Sequence, residues 1–501
     1  MPSIKTLGKD TAMYGISTVL ARFLNYFIVP IQTYSIAARS GEYGTITNMY
    51  AYTSLVLLLL ICGMESTFFY FVNREEDEAR RRNVFATAMT VVGTVTAVFL
   101  AVVYGGIGWI APAMGYVAHP EYVLCMATVV AMDALQTVPF ARLRQERRGW
   151  VYVGYKLLFV VLSLVLNTVF YVVLPWLATK LPDSVGRLYA SNGVDASYAF
   201  YINIACTTLI TVLMYKEFAP RGGRPDGALL RQMLGYTWPL MIVAVAGQMT
   251  QSFDKMFYNA LSTEADSNVQ LGIYGACAKI AMFMVVATQA YRMALEPLVY
   301  ANRGDKEDPS FLGNGTKLFL VTLLVFFIGI MAWMDVLRYF VGREYWDGLF
   351  VVPVVMAAEV CYAIFLNFSY WYKTDSAAGK ANTLWGALFS LTGCAIIVAG
   401  NVLFVPRYGY VACAWASLAS WAAVMVFSYL VGAIKGRLHM PLGAMLTYVA
   451  LAAVALWAVM SLPTSWPSWL RVAVGTVITV AYAAFAIWRE GLIATLRARC
   501  R

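Results

Sequence analysis

An all-α polytopic membrane protein is the fold class this sequence predicts: fourteen transmembrane helices, arranged as two pseudo-symmetric six-helix lobes plus two extra C-terminal helices. Three observations predict it. Fourteen apolar runs fill almost the whole chain, and a run of about twenty such residues crosses the hydrocarbon of a bilayer as a helix. Charged residues make up only 13% of the 501 and hydrophobic ones 60%, where a soluble domain carries about 25% charge. The loops between runs alternate between rich and poor in Lys and Arg, the bias that orients helices in a membrane.

The spans of the first half fall at about 11–34, 45–72, 83–104, 119–141, 150–176 and 197–215. The first is too long for a signal-peptide core and carries Arg22 at its middle, so it is expected to stay in the mature protein. The second runs from Tyr43-Gly44 to Asn73-Arg74-Glu75. A linker at 216–230, rich in Gly, Pro and basic residues, separates the halves. The second half repeats the plan at 231–260, 271–300, 312–334, 349–372, 381–403 and 409–433. Its second span runs from Gly272-Ile273-Tyr274-Gly275 to Asn302-Arg303, again followed by an acidic residue. Spans at 441–461 and 469–488 lie outside the repeat and carry no charge beyond Arg471 at the outer end of the last. The expected organisation is an N-lobe at 1–215, the linker at 216–230, a C-lobe at 231–433, and a final pair with its tail at 434–501.

The formal net charge of +10 follows from topology. Most of the 37 Lys and Arg fall in loops of one side, whereas the other side holds only Arg39, Lys180, Arg187, Arg338, Arg343, Arg407 and Arg471. The positive-inside rule then puts both termini in the cytoplasm. A basic excess distributed this way is not a nucleic-acid footprint. The eight Cys form no CxxC pair and sit mostly in apolar runs, and the two His are far apart. Small packing residues explain them better than a metal centre or a disulfide framework. The largest outer loop, 178–196, is too short for a catalytic domain.

Function is therefore sought in the polar groups kept within the spans, where an ionisable side chain costs at least about 2.5–3.5 kcal/mol. Gln248, Gln251, Ser252, Lys255 and Asn259 fall on one helical face, as the wall of a wet cavity would. Asp254 lies about 100° around that helix and is expected to pair with another one. The first span repeats the theme with Tyr14, Thr18, Arg22 and Asn25. In the eighth, Gln289, Arg292 and Glu296 follow one another along the helix, and Arg292 and Glu296 fit an ion pair as well as a cavity. Lys156 and Lys279 stand nearer span ends, where snorkelling explains them. Asp133, Glu359, Glu65, Glu296 and Asp254 fit two readings: carriers of H+ or Na+ that couple a gradient to transport, or partners that neutralise the cations. No other cofactor is expected. A cavity led by Arg22, Lys255 and Arg292 suits an anionic group, phosphate above all.

Several spaced motifs carry a family resemblance. They are Lys9-Asp10-Thr11-Ala12-Met13-Tyr14-Gly15, Arg22-Phe23-Leu24-Asn25 with Pro30, Glu42-Tyr43-Gly44, and Gly63-Met64-Glu65-Ser66-Thr67-Phe68-Phe69. The second half adds Ser252-Phe253-Asp254-Lys255, Gly272-Ile273-Tyr274 with Lys279, Ala290-Tyr291-Arg292 to Glu296-Pro297, and Asn401 through Pro406 to Gly409. In this order they resemble the polysaccharide-transporter branch of the MOP flippase superfamily, the Wzx-type O-antigen flippases. Tyr70 departs from the pattern, standing where relatives often have Arg, and Ala412 stands where Gly is usual. The resemblance implies a 14-helix, two-lobed transporter of a bacterial cytoplasmic membrane, not an enzyme. It would move a polyprenyl-diphosphate-linked oligosaccharide from the inner to the outer leaflet, alongside polysaccharide assembly machinery. Arg22, Lys255 and Arg292 match the residues thought to hold the diphosphate. Lipid II is an alternative substrate on the same plan. A multidrug exporter would favour an acidic or aromatic cavity and usually has twelve spans, and a membrane glycosyltransferase needs a larger outer loop.

Overall fold

A computed structural model describes residues 23–181, 194–301, 309–373, 380–436 and 438–491, with side chains left undescribed at 293–301, 309–311, 373 and 380–383. Every described secondary-structure element is helical. The helices are α1 Ile28–Ser35, α2 Glu42–Ile61, α3 Met64–Val72, α4 Glu78–Ala113, α5 Pro120–Gln145, α6 Gly149–Thr168 and α7 Ser197–Leu213. They continue with α8 Gly227–Leu261, α9 Ser267–Ala301, α10 Pro309–Ala332, α11 Val352–Phe368, α12 Lys380–Tyr408, α13 Tyr410–Ile434, α14 Leu442–Met460 and α15 Ser468–Arg489.

Twelve helices among the described residues are long and apolar enough to cross a membrane. The two other expected spans have different reasons for standing apart. α7 has 17 residues, about 25 Å of helix against about 30 Å of hydrocarbon. The first span begins outside the described residues. Local chemistry sets several boundaries. The Asp77 carboxylate accepts from Ala79 N at 3.0 Å and starts α4. Asp226 does the same for Ala228 N at 2.8 Å, so α8 starts at Gly227 rather than at the expected 231. α6 passes into a π-helical turn at Val169–Val173 just before Pro175, whose ring nitrogen cannot donate to the ladder.

Packing divides the chain into two compact units: residues 1–275 with 386–412, and residues 276–385 with 413–501. This division differs from the repeat read in the sequence, because α8 and the start of α9 pack on α2. In the first unit, Leu60, Met64, Phe68, Val84, Phe85, Val92, Val130, Val138 and Met233 form a continuous buried core from α2–α5 and α8. In the second, α10 packs against α11, α14 and α15. There Lys317 Nζ meets Glu490 at 2.6 Å, and Tyr448 Oη donates to the same carboxylate at 2.7 Å. Burial alone would raise the Glu490 carboxyl, but the bonds from Lys317 and Tyr448 and the charges of Lys317 and Arg489 together outweigh it and hold it below the ordinary glutamate range.

Candidate functional site

The seam between α2 and α8 in the first unit positions the polar residues of α8. α2 is brought onto its neighbours by glycines. A Cβ on Gly44 would lie 1.9 Å from Asn268 O, and one on Gly272 would lie 3.0 Å from Gly44 N. Only hydrogen fits there, which lets α9 begin directly against α2. One turn on, buried Asn48 donates its Nδ2 to the carbonyls of Lys255 (2.7 Å) and Met256 (3.0 Å). Tyr116 Oη donates to Asn48 Oδ1 at 2.8 Å, fixing the amide's orientation. Ser54 extends the seam, taking a hydrogen bond from Gln248 Nε2 at 2.9 Å.

At this level sit the charges. Lys255 Nζ lies 3.0 and 3.1 Å from the two oxygens of Asp254, its sequence neighbour. Asp254 is 3% exposed and also accepts from Tyr274 Oη on α9 at 2.6 Å. Lys255 keeps 26% exposure and stands 5.2 Å above the Tyr274 ring. The expected cross-helix partner of Asp254 is thus Tyr274, while its ionic partner is adjacent on α8. The lysine is held by one acid and an aromatic face and remains reachable. A cation in that state can take a second anion without vacating a closed network.

Further down the seam α2 breaks. Cys62 (φ 50°) and Gly63 (φ 63°) both adopt the left-handed conformation, separating α2 from α3. Thr237 Oγ1 of α8 donates to the Cys62 carbonyl at 2.7 Å, satisfying a group the break has freed. A Cβ on Gly63 would meet that hydroxyl at 2.5 Å. A left-handed non-glycine residue costs of order 1–3 kcal/mol, and the Thr237 bond helps hold it. Beyond the break, the Arg74 guanidinium lies 3.9 Å over Tyr70, which stacks on Tyr236 at 4.2 Å. A cation therefore reaches position 70 from one turn away.

The remaining predicted residues distribute as follows. The polar stripe of α8 is divided: Gln251 is exposed, Gln248 bonds Ser54 and Ser252, and Asn259 Nδ2 donates to Asn268 Oδ1 at 2.6 Å. Asn25 is exposed, and Arg22 lies outside the described residues. Glu65, in the first turn of α3, is ion-paired with Arg144 of α5. Asp133 is half-buried at mid-α5, with Lys156 of α6 as its charged neighbour. Lys156 is exposed and packs 4.2 Å over Phe140. In the second unit Arg292 is half-buried on α9 and Glu359 is half-buried and engaged on α11. The side chain of Glu296 lies outside the described residues. Sequence reasoning missed Asn48, Ser54 and Tyr116, and had Tyr274 only as part of a motif. Asn48 carried a signal of its own, an amide within an apolar span.

At the far end of α5 a denser charge cluster ties the unit together. The Glu217 carboxylate binds Arg142 at 3.2 Å, Arg148 at 2.8 Å and Arg221 at 3.2 Å. Arg142 also donates to the carbonyls of Ala219 and Glu217, and Glu146 pairs with Arg221 at 3.0 Å. Burial alone would raise the Glu217 carboxyl, but hydrogen bonds from Arg148 and Arg142 outweigh it and hold it below the ordinary glutamate range.

No family model matches the chain. "Lsg locus putative protein 1" of Haemophilus influenzae is 19% identical over 417 residues, 80% of this chain and 94% of that protein. A solved lipid II flippase MurJ, in an inward closed conformation, superposes with TM-score 0.70 over 96% of this chain and 99% of its own, at 12% identity. An inward-facing multidrug resistance MATE family transporter of the MOP superfamily superposes with TM-score 0.60 over 85% of this chain and 94% of its own, at 14% identity. These likenesses establish the fold: the chain has the all-helical architecture shared by MurJ and MATE transporters. They do not reach the polysaccharide branch.

Proposed function

We propose that the chain is a flippase for a polyprenyl-diphosphate-linked oligosaccharide. It moves its substrate from the inner to the outer leaflet of a bacterial cytoplasmic membrane, with both termini on the cytoplasmic side. The observation that carries this reading is Lys255: within the apolar span of α8, 26% exposed, and neutralised by a single carboxylate. A phosphate oxygen offers the same charge-assisted contact that Asp254 now supplies, with Gln251 one turn and Gln248 two turns away for polar groups. A proton on Asp254 frees the lysine charge for phosphate, while Tyr274 keeps the acid in place. That exchange gives Asp254 a role in coupling, with Asp133, Glu65, Glu296 and Glu359 as further H+ or Na+ carriers. Arg22, Asn25 and Arg292 are further candidates for contact with the phosphate. Superposition along nearly the whole length of a lipid II flippase supports this reading and leaves lipid II as an alternative cargo.

A multidrug exporter is the second reading. It is favoured by the buried Asp254–Tyr274 pair, an acid against an aromatic that would suit a cationic drug. Reconstituted vesicles holding a fluorescent polyprenyl-diphosphate sugar separate the two. Lys255→Ala should slow its translocation by roughly tenfold or more, the loss of a charge-assisted contact, while Lys255→Arg keeps most of it. Unchanged rates in Lys255→Ala would defeat the site. Transport of a cationic dye in place of the lipid would favour the exporter.

A further inference from the structure

An open apolar groove runs along the second unit between the end of α10 and the start of α15. Its volume is about 540 Å³, and it is lined by Trp333, Val336, Trp469, Val472, Ala473 and Thr476, with Ser468 at its end. Trp333 Nε1 donates to Thr476 Oγ1 at 3.1 Å, joining the two walls. Trp469 is 71% exposed and Trp333 46%. Indoles in such positions are typical of the water–lipid boundary of a membrane helix.

Beside the groove two guanidiniums share one acid. Arg471, in the first turn of α15, pairs with Asp335 across the walls, and Arg338 Nη1 lies 3.8 Å from the same oxygen. Arg338 also lies 4.6 Å over the Trp346 ring. Two guanidiniums carry ten N–H donors between them, far more than one carboxylate accepts. The Nε of each is buried without a hydrogen-bond partner. Glu344, Asp347 and Arg343 follow on the same segment, so net charge does not draw an anion here. Unfilled donors do.

From these observations we propose that this is a phospholipid site: an acyl chain fills the groove and the phosphate bridges Arg338 and Arg471. An apolar groove left empty forfeits dispersion contacts along its lining, and an acyl chain restores them. The phosphodiester supplies acceptor oxygens to donors that Asp335 leaves over, in the planar geometry guanidinium favours. The site lies in the second unit alone and does not depend on which substrate the protein moves.

Photo-crosslinking in reconstituted vesicles tests it. The full chain is placed in phosphatidylcholine with a trace of phosphatidylglycerol carrying a diazirine near the glycerol end of one chain. A parallel sample carries the matching diacylglycerol, which lacks phosphate. Peptides covering 333–340 and 466–476 should be labelled roughly tenfold more by the phosphate-bearing probe. Arg338→Gln, which leaves the Arg471–Asp335 pair intact, should bring the two probes level. Ala473→Trp, at an exposed position of the groove, should suppress labelling by both. Equal labelling of the unaltered chain overturns the proposal, as does a phosphate preference that survives Arg338→Gln or labelling that survives Ala473→Trp. Should a variant fail to fold, the two-probe comparison on the unaltered chain decides.

Discussion

Two charged centres of the first unit are each built around a buried carboxylate and behave as opposites. Around Glu217, three arginines crowd a carboxylate that is 6% exposed, and Arg142 also donates to two carbonyls of the same segment. Around Asp254, one lysine and one tyrosine share a carboxylate, and the lysine keeps a quarter of its surface open. The first is a clamp, holding the segment after α7 to the end of α5. The second is a lightly held pair within a span, where a ligand can compete for the cation. Burial and the number of partners, rather than charge, separate a structural group from one that can exchange.

Neutralising each acid should break the comparison most directly. Glu217→Gln leaves buried Arg142 with only the more distant Glu146, at 3.7 Å, as counter-charge, and loss of one partner from a buried pair typically costs about 3–5 kcal/mol. Thermal unfolding in detergent should register a drop of that order, and an unchanged midpoint would mean the cluster is not a clamp. Acid should act next. The Glu217 carboxyl sits below its ordinary range when folded, so its stabilisation is present above the unfolded value and is lost as pH falls through the folded one. Glu490 contributes with the same sign in the second unit. The midpoint of the unaltered chain should therefore fall in acid more steeply than that of Glu217→Gln, and equal slopes would remove Glu217 from the explanation. Asp254→Asn should cost least, about 1–3 kcal/mol, because Tyr274 can still bond the amide and Lys255 is partly solvated. The same variant should raise affinity for a phosphate-bearing lipid, measured by binding to the reconstituted protein. A loss as large as that of Glu217→Gln would make the Asp254–Lys255 pair structural too.

Much of this was legible from residue patterns. The helices fall where the apolar runs lie, since length and hydropathy alone decide whether a segment can span. Glu42-Tyr43-Gly44 and Gly272-Ile273-Tyr274 stood out as motifs, although their reason lies in a backbone crossing too close for a Cβ. Lys255 and Asp254 were legible as unusual because charge in a span is costly. Their mutual pairing was not, since helical geometry places neighbours 100° apart and long side chains can still bend together. The break at Cys62–Gly63 had Gly63 as its only hint.

By itself, then, the sequence determined the class: helices that must bury their backbone polar groups in lipid, the order of the spans, and which few of them carry charge. Periodicity and composition act locally, and so they can be read locally. The tertiary structure decided which charges are saturated and which stay reachable, because that depends on groups brought together from distant positions, as Asn48 and Tyr116 are brought to the backbone of Lys255. It also placed two arginines beside one acid at the mouth of a groove that no single span reveals.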